Sequence, residues 1–390
     1  MNLDRSYERA AAGDAAMADY VLPLDRAQAA LAPALDQPRR VLSPFEFWPG
    51  AVFYAPVFAY WLWRSLRHGS LTLPTIANPE MDGGGICGES KTALFAAMSA
   101  EGRRWLAPYV SARRGGRASV AEDRACLLRR MAEAGLDFPV VAKPDIGCHG
   151  SGVRVLRDPD ALRGYLEAFP VGERLLLQRL VDREGEAGVF YVRRPGEARG
   201  RIFSLTLKFF PRVVGDGRAT LEQLIRRDPR AGRVPHLYLP RHRARLGWVP
   251  ARGEKVRLIF AGNHCKGAVF RNAIHLVTPA LTGRFDQLAK TIPAFHFGRF
   301  DVRFDSLPRL LRGEDFTVIE FNGGGSEAIH VWDPDTRLVD AYRDLFEQIR
   351  LLFEIGAVHR AEGRRPDGPR RFLAAWRREK RLDGLYPITE

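Results

Sequence analysis

The chain has 390 residues, 46% of them hydrophobic, enough for two or three domains of about 150 residues with proper cores, which excludes a disordered or fibrous polymer. Lys and Arg number 60 against 46 Asp and Glu, a formal charge of +14 that suits an anionic partner: a nucleotide, a nucleic acid or an acidic membrane surface. No nucleic-acid recognition motif accompanies the charge, so nucleic acid is not expected.

The four cysteines, Cys87, Cys126, Cys148 and Cys265, form no CxxC pair, and residues 1–20 hold no continuous apolar leader; a reducing, cytoplasmic location is expected. Cys148-His149 and His264-Cys265 lack the ligand spacing of a zinc site. Residues 1–40 are alanine-rich, with loose helical spacing of Tyr20, Val21, Leu22, Leu31 and Leu35 broken by Pro23, Pro33 and Pro38. From Phe47 to Trp63 the chain carries no charge, and Arg64 and Arg67 follow. The stretch falls short of the roughly 20 residues of a membrane span and is interrupted by Pro49, Gly50 and Pro56. Three readings stay open: a buried amphipathic helix, an interfacial helix with its aromatic face in lipid and its arginines at the headgroups, or a span.

Ser70–Thr75 has the pattern of a short strand, and Gly83-Gly84-Gly85 that of a loop. Ser90 is placed to cap a helix running to about Ala100, with Leu94, Phe95 and Met98 on its apolar side; Ser119 is placed to cap another that ends at Gly135. A strand then ends in Lys143, a loop carries Gly147, Gly150, Ser151 and Gly152, and a second strand leaves through Val153–Leu156. Glycines let backbone N–H groups approach phosphate oxygens, and Lys143 adds a point charge, so this hairpin is either a polyphosphate cover or a plain turn. It is not a P-loop, because the lysine precedes the glycines.

Asp158–Phe169 is a helix, and Leu175–Val181 an apolar strand entering a polar turn at 182–186. Strands Gly188–Arg193 and Arg201–Phe210 follow, with Lys208 between Leu207 and Phe209, where an ammonium needs an anionic partner or a route to water. Gly215-Asp216-Gly217-Arg218 introduces a helix through Leu221, Leu224 and Ile225. Residues 226–250, basic and broken by Pro235, Pro240 and Pro250, have the character of a surface loop. Val256–Phe260 and Ala268–Ile274 are strands, Leu281–Ile292 a helix, and residues 336–355 and 370–382 closing helices.

The stretch 298–327 carries the sharpest signal. Phe300, Val302 and Phe304 alternate with Arg299, Asp301, Arg303 and Asp305, and Glu320 and Asn322 share one face of a strand bounded by Val318, Ile319 and Phe321. Carboxylates in the middle of apolar strands must be neutralised. Magnesium would do so, since it takes carboxylate and amide oxygens and shares its other positions with phosphates; pairing with arginines is the alternative.

Taken together, Lys91, Lys143 with its glycine hairpin, Gln178–Val181, Glu186, Lys208, Arg299, Asp301, Glu320 and Asn322 resemble the ATP-grasp superfamily. The layout is similar to D-alanine–D-alanine ligases and the amide-forming half of cyanophycin-type ligases. The resemblance covers about residues 88–335, and the paired segments GRFDVRFD and VIEFNGGGSE carry it most. It implies an α/β (α+β) ATP-grasp fold in which two subdomains, 88–180 and 181–345, clasp ATP. A divergent N-terminal region, 1–87, precedes them and a helical extension, 346–390, follows.

By that resemblance Lys91, Lys143 and Lys208 contact phosphates, with Gly147, Gly150, Ser151 and Gly152 over them. Gln178, Arg179, Leu180 and Val181 form the adenine hinge, and Glu186 accepts the ribose hydroxyls. The hinge commonly begins with Glu, and Gln178 stands there instead. Asp301, Glu320 and Asn322 hold two magnesium ions, with manganese as a substitute and Glu320 bridging. Arg299 and Lys208 steady the charge of the intermediate, and Gly323, Gly324, Gly325, Ser326 and Glu327 face the acceptor. The reaction implied joins a small-molecule or peptide carboxylate to an amine with ADP and phosphate released; a kinase of similar fold and a non-catalytic nucleotide binder are the rivals. Glu327, His330 or solvent takes the amine proton, with a core or surface role the simpler one for His330. The aromatic stretch 47–63 would make any membrane contact, and nothing in the sequence sets the oligomeric state.

Overall fold

The computed structural model describes residues 42–389, apart from 117–118, 148–149, 261, 265–266 and 388; the stretch 1–40, the pair Cys148-His149 and Cys265 lie outside the described residues. The longer helices are α1 (Gly50–His68), α2 (Lys91–Ala97), α3 (Val120–Glu133), α4 (Pro159–Ala168), α5 (Leu221–Arg227), α6 (Pro279–Lys290), α7 (Leu338–Ala361) and α8 (Pro369–Asp383). Their starts follow from short polar side chains. Ser90 accepts from Ala93 N–H, Asp158 from Asp160 and Ala161, and Thr278 from Leu281, while Thr220 and Gln223 form a reciprocal capping box.

Strands β1 (Tyr109–Arg113), β2 (Val140–Pro144), β3 (Arg154–Leu156) and β4 (Arg174–Arg179) make an antiparallel sheet in the order β1-β4-β2-β3. Alternation divides its residues. Val140, Ala142, Leu175 and Leu177 pack on Leu127, Met131, Leu162 and Leu166 of α3 and α4, while Val141, Lys143 and Gln178 turn the other way into a cleft.

A second sheet, order β11-β10-β5-β6-β9, is built from β5 (Gly185–Val192), β6 (Arg201–Phe209), β9 (Val269–Asn272), β10 (Phe297–Phe304) and β11 (Phe316–Asn322). One face is apolar: Val189, Leu205, Leu207, Phe300, Val302 and Phe321 are buried against Leu281, Phe285 and Leu288 of α6. Each such side chain contributes about 2–3 kcal/mol by leaving water. The other face is charged and turns toward the cleft. Strands β7 (Arg212–Val214) and β8 (Lys255–Arg257) form a separate ribbon. The chain is therefore a mixed helix and antiparallel-sheet protein with two α+β units on either side of a cleft, as the resemblance implies.

Several expectations are corrected. Ser70–Thr75 forms a turn and a 3-10 helix over Leu73–Ile76, because the left-handed Gly69 reverses the chain and Pro74 has no N–H for a ladder. Ser119 stands at the start of α3 but its hydroxyl donates to Gly116 O rather than capping. The polar turn before β5 is shorter than expected: Glu186 lies within the strand. Residues 226–250 are short helical turns packed into a core shared with Phe45, Phe53, Trp332 and Leu345, with Tyr238 buried and fully buried Arg230 paired to Glu46 at 2.5 Å. Glu46 lies far away in sequence, so no local pattern reveals the match. Within stretch 47–63 the chain enters helix α1 at Gly50, which has one face packed and one exposed, so the amphipathic and interfacial readings both stay open, and no helix among the described residues is long and apolar enough to cross a membrane.

Candidate functional site

Pairing register brings the charges of the second sheet into one field. Asp301 stands directly opposite Glu320, and Arg299 opposite Asn322, across β10 and β11. On the next strands Arg303 faces Glu186, and Glu186 faces Lys208. Lys208 Nζ lies 2.9 Å from Asp301 Oδ1 and 3.0 Å from Glu186 Oε1; Arg303 Nε holds the other Glu186 oxygen at 2.8 Å. Arg299 grips both Asp301 oxygens, with Nε 3.1 Å from Oδ1 and Nη2 3.1 Å from Oδ2, and donates from Nη1 to Glu327 O at 2.9 Å.

Asp301 and Lys208 are 3% and 6% exposed, so these charges are desolvated and each depends on its partners. Burial opposes ionisation of Asp301, but Arg299 and Lys208 overcome it and hold its pKa at about 2. Burial likewise opposes Glu186, and Arg303 and Lys208 bring its carboxyl below the usual range. Lys208 responds in kind: against burial, Asp301 and Glu186 raise its pKa. Both acids and the lysine are charged at neutral pH.

The register slips between Asp301 and Val302, leaving Ile319 as an extra residue in β11. Its carbonyl turns out of the ladder and accepts from Lys143 Nζ at 3.2 Å, which ties the two sheets together. Lys143 also donates to Gln178 Oε1 at 2.8 Å. Burial lowers its pKa below the lysine range despite the pull of Glu320. Gln178 is buried and spends its amide on Ala107 O, so its side chain serves Lys143 rather than a base. Arg179 N–H is taken by Pro108 O, and Val181 O accepts from Arg183.

Lys91, the first residue of α2, donates to Gly147 O at 2.7 Å and lies 3.4 Å from Glu320. The C-terminal segment braces the same hairpin: Tyr386 donates to Ile146 O, and Thr389 Oγ1 donates to Gly150 O at 2.9 Å and accepts from Gly152 N at 3.2 Å.

The third side comes from the region before α2. Gly324 N donates to Gly84 O at 2.9 Å and Gly325 N to Gly85 O at 2.6 Å, an approach so close that a Cβ on Gly325 would stand 2.1 Å from Ile86 O. Both loops require glycine for this reason. Glu89 accepts from Gly323 N–H at 3.4 Å; burial, reinforced by Glu320 and Glu379 against Lys91, pushes its pKa up to about 8. Glu327 accepts from Tyr54 Oη at 2.9 Å and from Trp332 Nε1, and burial raises its pKa too.

These groups surround a cavity of about 520 Å³. Of the expected residues, Lys143, Gly147, Gly150, Gln178–Val181, Glu186, Lys208, Arg299, Asp301, Glu320, Asn322 and Gly325–Glu327 line it. Lys91, Ser151 and Glu320 line a small side pocket with Lys143 and the hairpin. Gly152 supports the hairpin through Thr389, while Gly323 and Gly324 anchor the loop behind the cavity wall. His330 is not among the lining residues; it is buried between Ser204 Oγ at 2.8 Å and Asp344 Oδ2 at 2.9 Å. Tyr54, Glu89, His264, Arg303, Trp376, Glu379 and Lys380 also reach the cavity and were not anticipated.

Asp301, Glu320 and Asn322 give a hard cation two carboxylates and an amide on adjoining strands, a donor set that fits magnesium. Among the described residues no three His, Cys, Asp or Glu side chains cluster as a metal site. The pairing alternative is realised in part: Asp301 is bound by Arg299, whereas Glu320 meets Lys91 rather than an arginine, and Arg303 goes to Glu186. Glu186, expected at the ribose, has one oxygen on Lys208 and the other on Arg303 and belongs to the ionic field.

No family model and no curated protein matches the chain. Among solved structures it is similar to a bifunctional glutathione synthetase from Pasteurella multocida, at 15% identity and TM-score 0.33 over 66% of this chain. It is also similar to D-alanine–D-alanine ligase from Bacillus anthracis, at 14% identity and TM-score 0.40 over 73% of this chain and 72% of that one. The chain spans 36% of the glutathione synthetase.

Proposed function

We propose that the protein is an ATP-grasp ligase that joins a carboxylate to an amine through an acylphosphate, releasing ADP and phosphate. The observation that carries this reading is the single cleft in which the glycine hairpin, Lys143, Lys208, Arg299 and the acid row Asp301–Glu320–Asn322 meet, drawn from two sheets. A polyphosphate laid between the sheets would meet Lys91, Lys143 and the hairpin on one side and Lys208 and Arg299 on the other. Asp301, Glu320 and Asn322 would hold magnesium, which neutralises phosphate charge when bound.

A substrate carboxylate oxygen attacks the γ-phosphorus, the bond to the bridging oxygen breaks, and ADP leaves. An amine then attacks the acyl carbon, phosphate leaves with the bonding pair, and the nitrogen loses a proton to solvent or to Glu327, which lines the cavity. Charge gathers first on the phosphoryl oxygens and then on the tetrahedral carbon. Arg299 and Lys208, fixed in place by Asp301, stabilise both without reorganising. The acceptor enters beside Gly325–Glu327 and Tyr54.

The test is release of ADP and phosphate across a panel of carboxylates and amines, with products identified by mass. Turnover that needs both partners and yields an amide supports the ligase. A stable phosphoester with no amide would assign a kinase, and bound ATP that is never consumed would leave only a nucleotide-binding protein.

A further inference from the structure

Helix α1 presents apolar residues to solvent along its whole length. Val52, Ala55, Pro56, Ala59, Leu62, Trp63 and Leu66 recur at steps of three and four and are all exposed, with Phe58 beside them. Leu66 is 83% exposed, Phe58 62% and Val52 57%. The opposite side of the helix is already satisfied: Phe53 stacks on Phe45 and Tyr342, Tyr60 on Phe346, and Trp61 meets Phe353 edge-on. A surface helix of an ordinary globular protein is polar where this one is apolar, so the outer stripe is a docking face.

The charges around the stripe identify the partner. No acidic residue occurs from Phe47 to His68. The C-terminal end of α1 is basic: Arg67 lies exposed with its guanidinium 5.8 Å from the Trp63 ring, and exposed Arg360 donates to His68 O at 2.8 Å. Tryptophans stand at both ends, Trp48 42% and Trp63 49% exposed, where amphipathic rings meet headgroups. A second copy of the chain would bring its own +14 charge against this basic end, whereas anionic lipid complements it.

We infer that α1 is an interfacial helix whose outer stripe settles at the boundary of headgroups and acyl chains of an anionic bilayer, with Arg67 and Arg360 at the phosphates. Tyr54 leaves the same helix toward Glu327 in the cavity, so docking places that end of the cleft beside the membrane. The inference does not depend on the ligase reading, since it concerns binding alone.

Flotation of the full chain tests it, with vesicles of phosphatidylcholine alone or mixed with phosphatidylglycerol. The protein should float with the anionic vesicles and at least about tenfold less with the neutral ones, and a Leu62→Glu/Leu66→Glu variant should lose about tenfold of the anionic binding. Thermal melting of the variant checks that it is folded. In the unaltered protein, brominated lipid should quench tryptophan fluorescence, a readout that needs no variant. Failure to float with anionic vesicles, absence of quenching, or equal flotation of a folded double variant would each overturn the inference. So would a dimer in solution that the double variant dissociates while vesicles bind neither form.

Discussion

The two walls of the cleft hold their cations by opposite means. In the first sheet, Lys143 projects from an apolar β2 and is held by neutral oxygens, Gln178 Oε1 and the bulged Ile319 carbonyl. In the second, Lys208 lies between two carboxylates, and Arg299 and Arg303 complete a continuous ionic row. The first lysine is desolvated and touches neutral oxygens, with Glu320 acting only through space, so an anion entering the cleft would complete its neutralisation. The second is paired with two carboxylates before anything binds, so its field is fixed in direction, although three cations to two carboxylates leave the row with one positive charge in excess. On the proposed ligase reading, one wall would recruit an anion and the other would be preorganised for a change of charge during reaction.

The sharpest way to break that contrast is Asp301→Asn. It keeps the side chain's shape but removes the charge that orients Arg299 and Lys208 and one of the proposed metal oxygens. Metal-dependent ADP release should fall by on the order of 10³-fold or more, measured at saturating ATP on protein shown to be folded. Undiminished turnover would mean that the ionic row is structural and that chemistry lies elsewhere.

Next in size is a matched pair. Lys208→Met strips a buried cation from Asp301 and Glu186 and should cost about 3 kcal/mol of stability in urea unfolding. Lys143→Met leaves two neutral acceptors unpaired but also removes the desolvation of a buried ammonium, so it should cost less than Lys208→Met, about 1 kcal/mol, while raising the KM for ATP by about 10–100-fold. If both lysines proved equally important for stability, the division between recruiting and preorganised walls would be lost.

A smaller effect is expected at Gly152, whose φ is +70° and whose added Cβ would stand 2.7 Å from Pro144 Cγ and 3.0 Å from Tyr386 Cβ. Gly152→Ala should destabilise by about 1–2 kcal/mol and raise the KM for ATP several-fold through a displaced hairpin. Nucleotide titration by fluorescence distinguishes the two consequences.

How much of this was legible in the sequence follows from the range of each interaction. Asp301, Glu320, Asn322 and Lys208 announced themselves because a charge inside an apolar strand is costly, and period-2 alternation says which residues share its face. The partners were not legible. That Arg303 meets Glu186, and that Lys91 rather than an arginine meets Glu320, depends on strand register and on packing across the cleft. The bulge at Ile319 has no sequence marker beyond an unremarkable apolar run. Tyr54, Trp376, Glu379 and Lys380 lie in segments outside the resemblance and reach the cavity only because α1 and α8 fold back beside it.

Glu89 belongs to that unanticipated group and yields the smallest prediction. It is partly buried at the junction of the two glycine loops, with Glu320 and Glu379 near and Lys91 and the Gly323 N–H opposing them. Its pKa in the folded protein, about 8, lies above the ordinary 4.5, so the folded state binds this proton more tightly than the unfolded chain does. The stability it contributes is fully present below about 4.5 and is lost as the pH rises through about 8. Glu89→Gln keeps a hydrogen-bonding side chain of the same length but removes the titration. Melting temperatures of the two proteins should therefore differ little at pH 5, and the variant should gain on the unaltered protein from pH 5 to pH 9, a change of a few degrees. Parallel curves across that range would show that Glu89 is already ionised in the folded state. The carboxyl would then join Asp301 and Glu186 among the balanced charges, and the contrast between a paired ionic row and an unbalanced opposite side would need redrawing around Lys91.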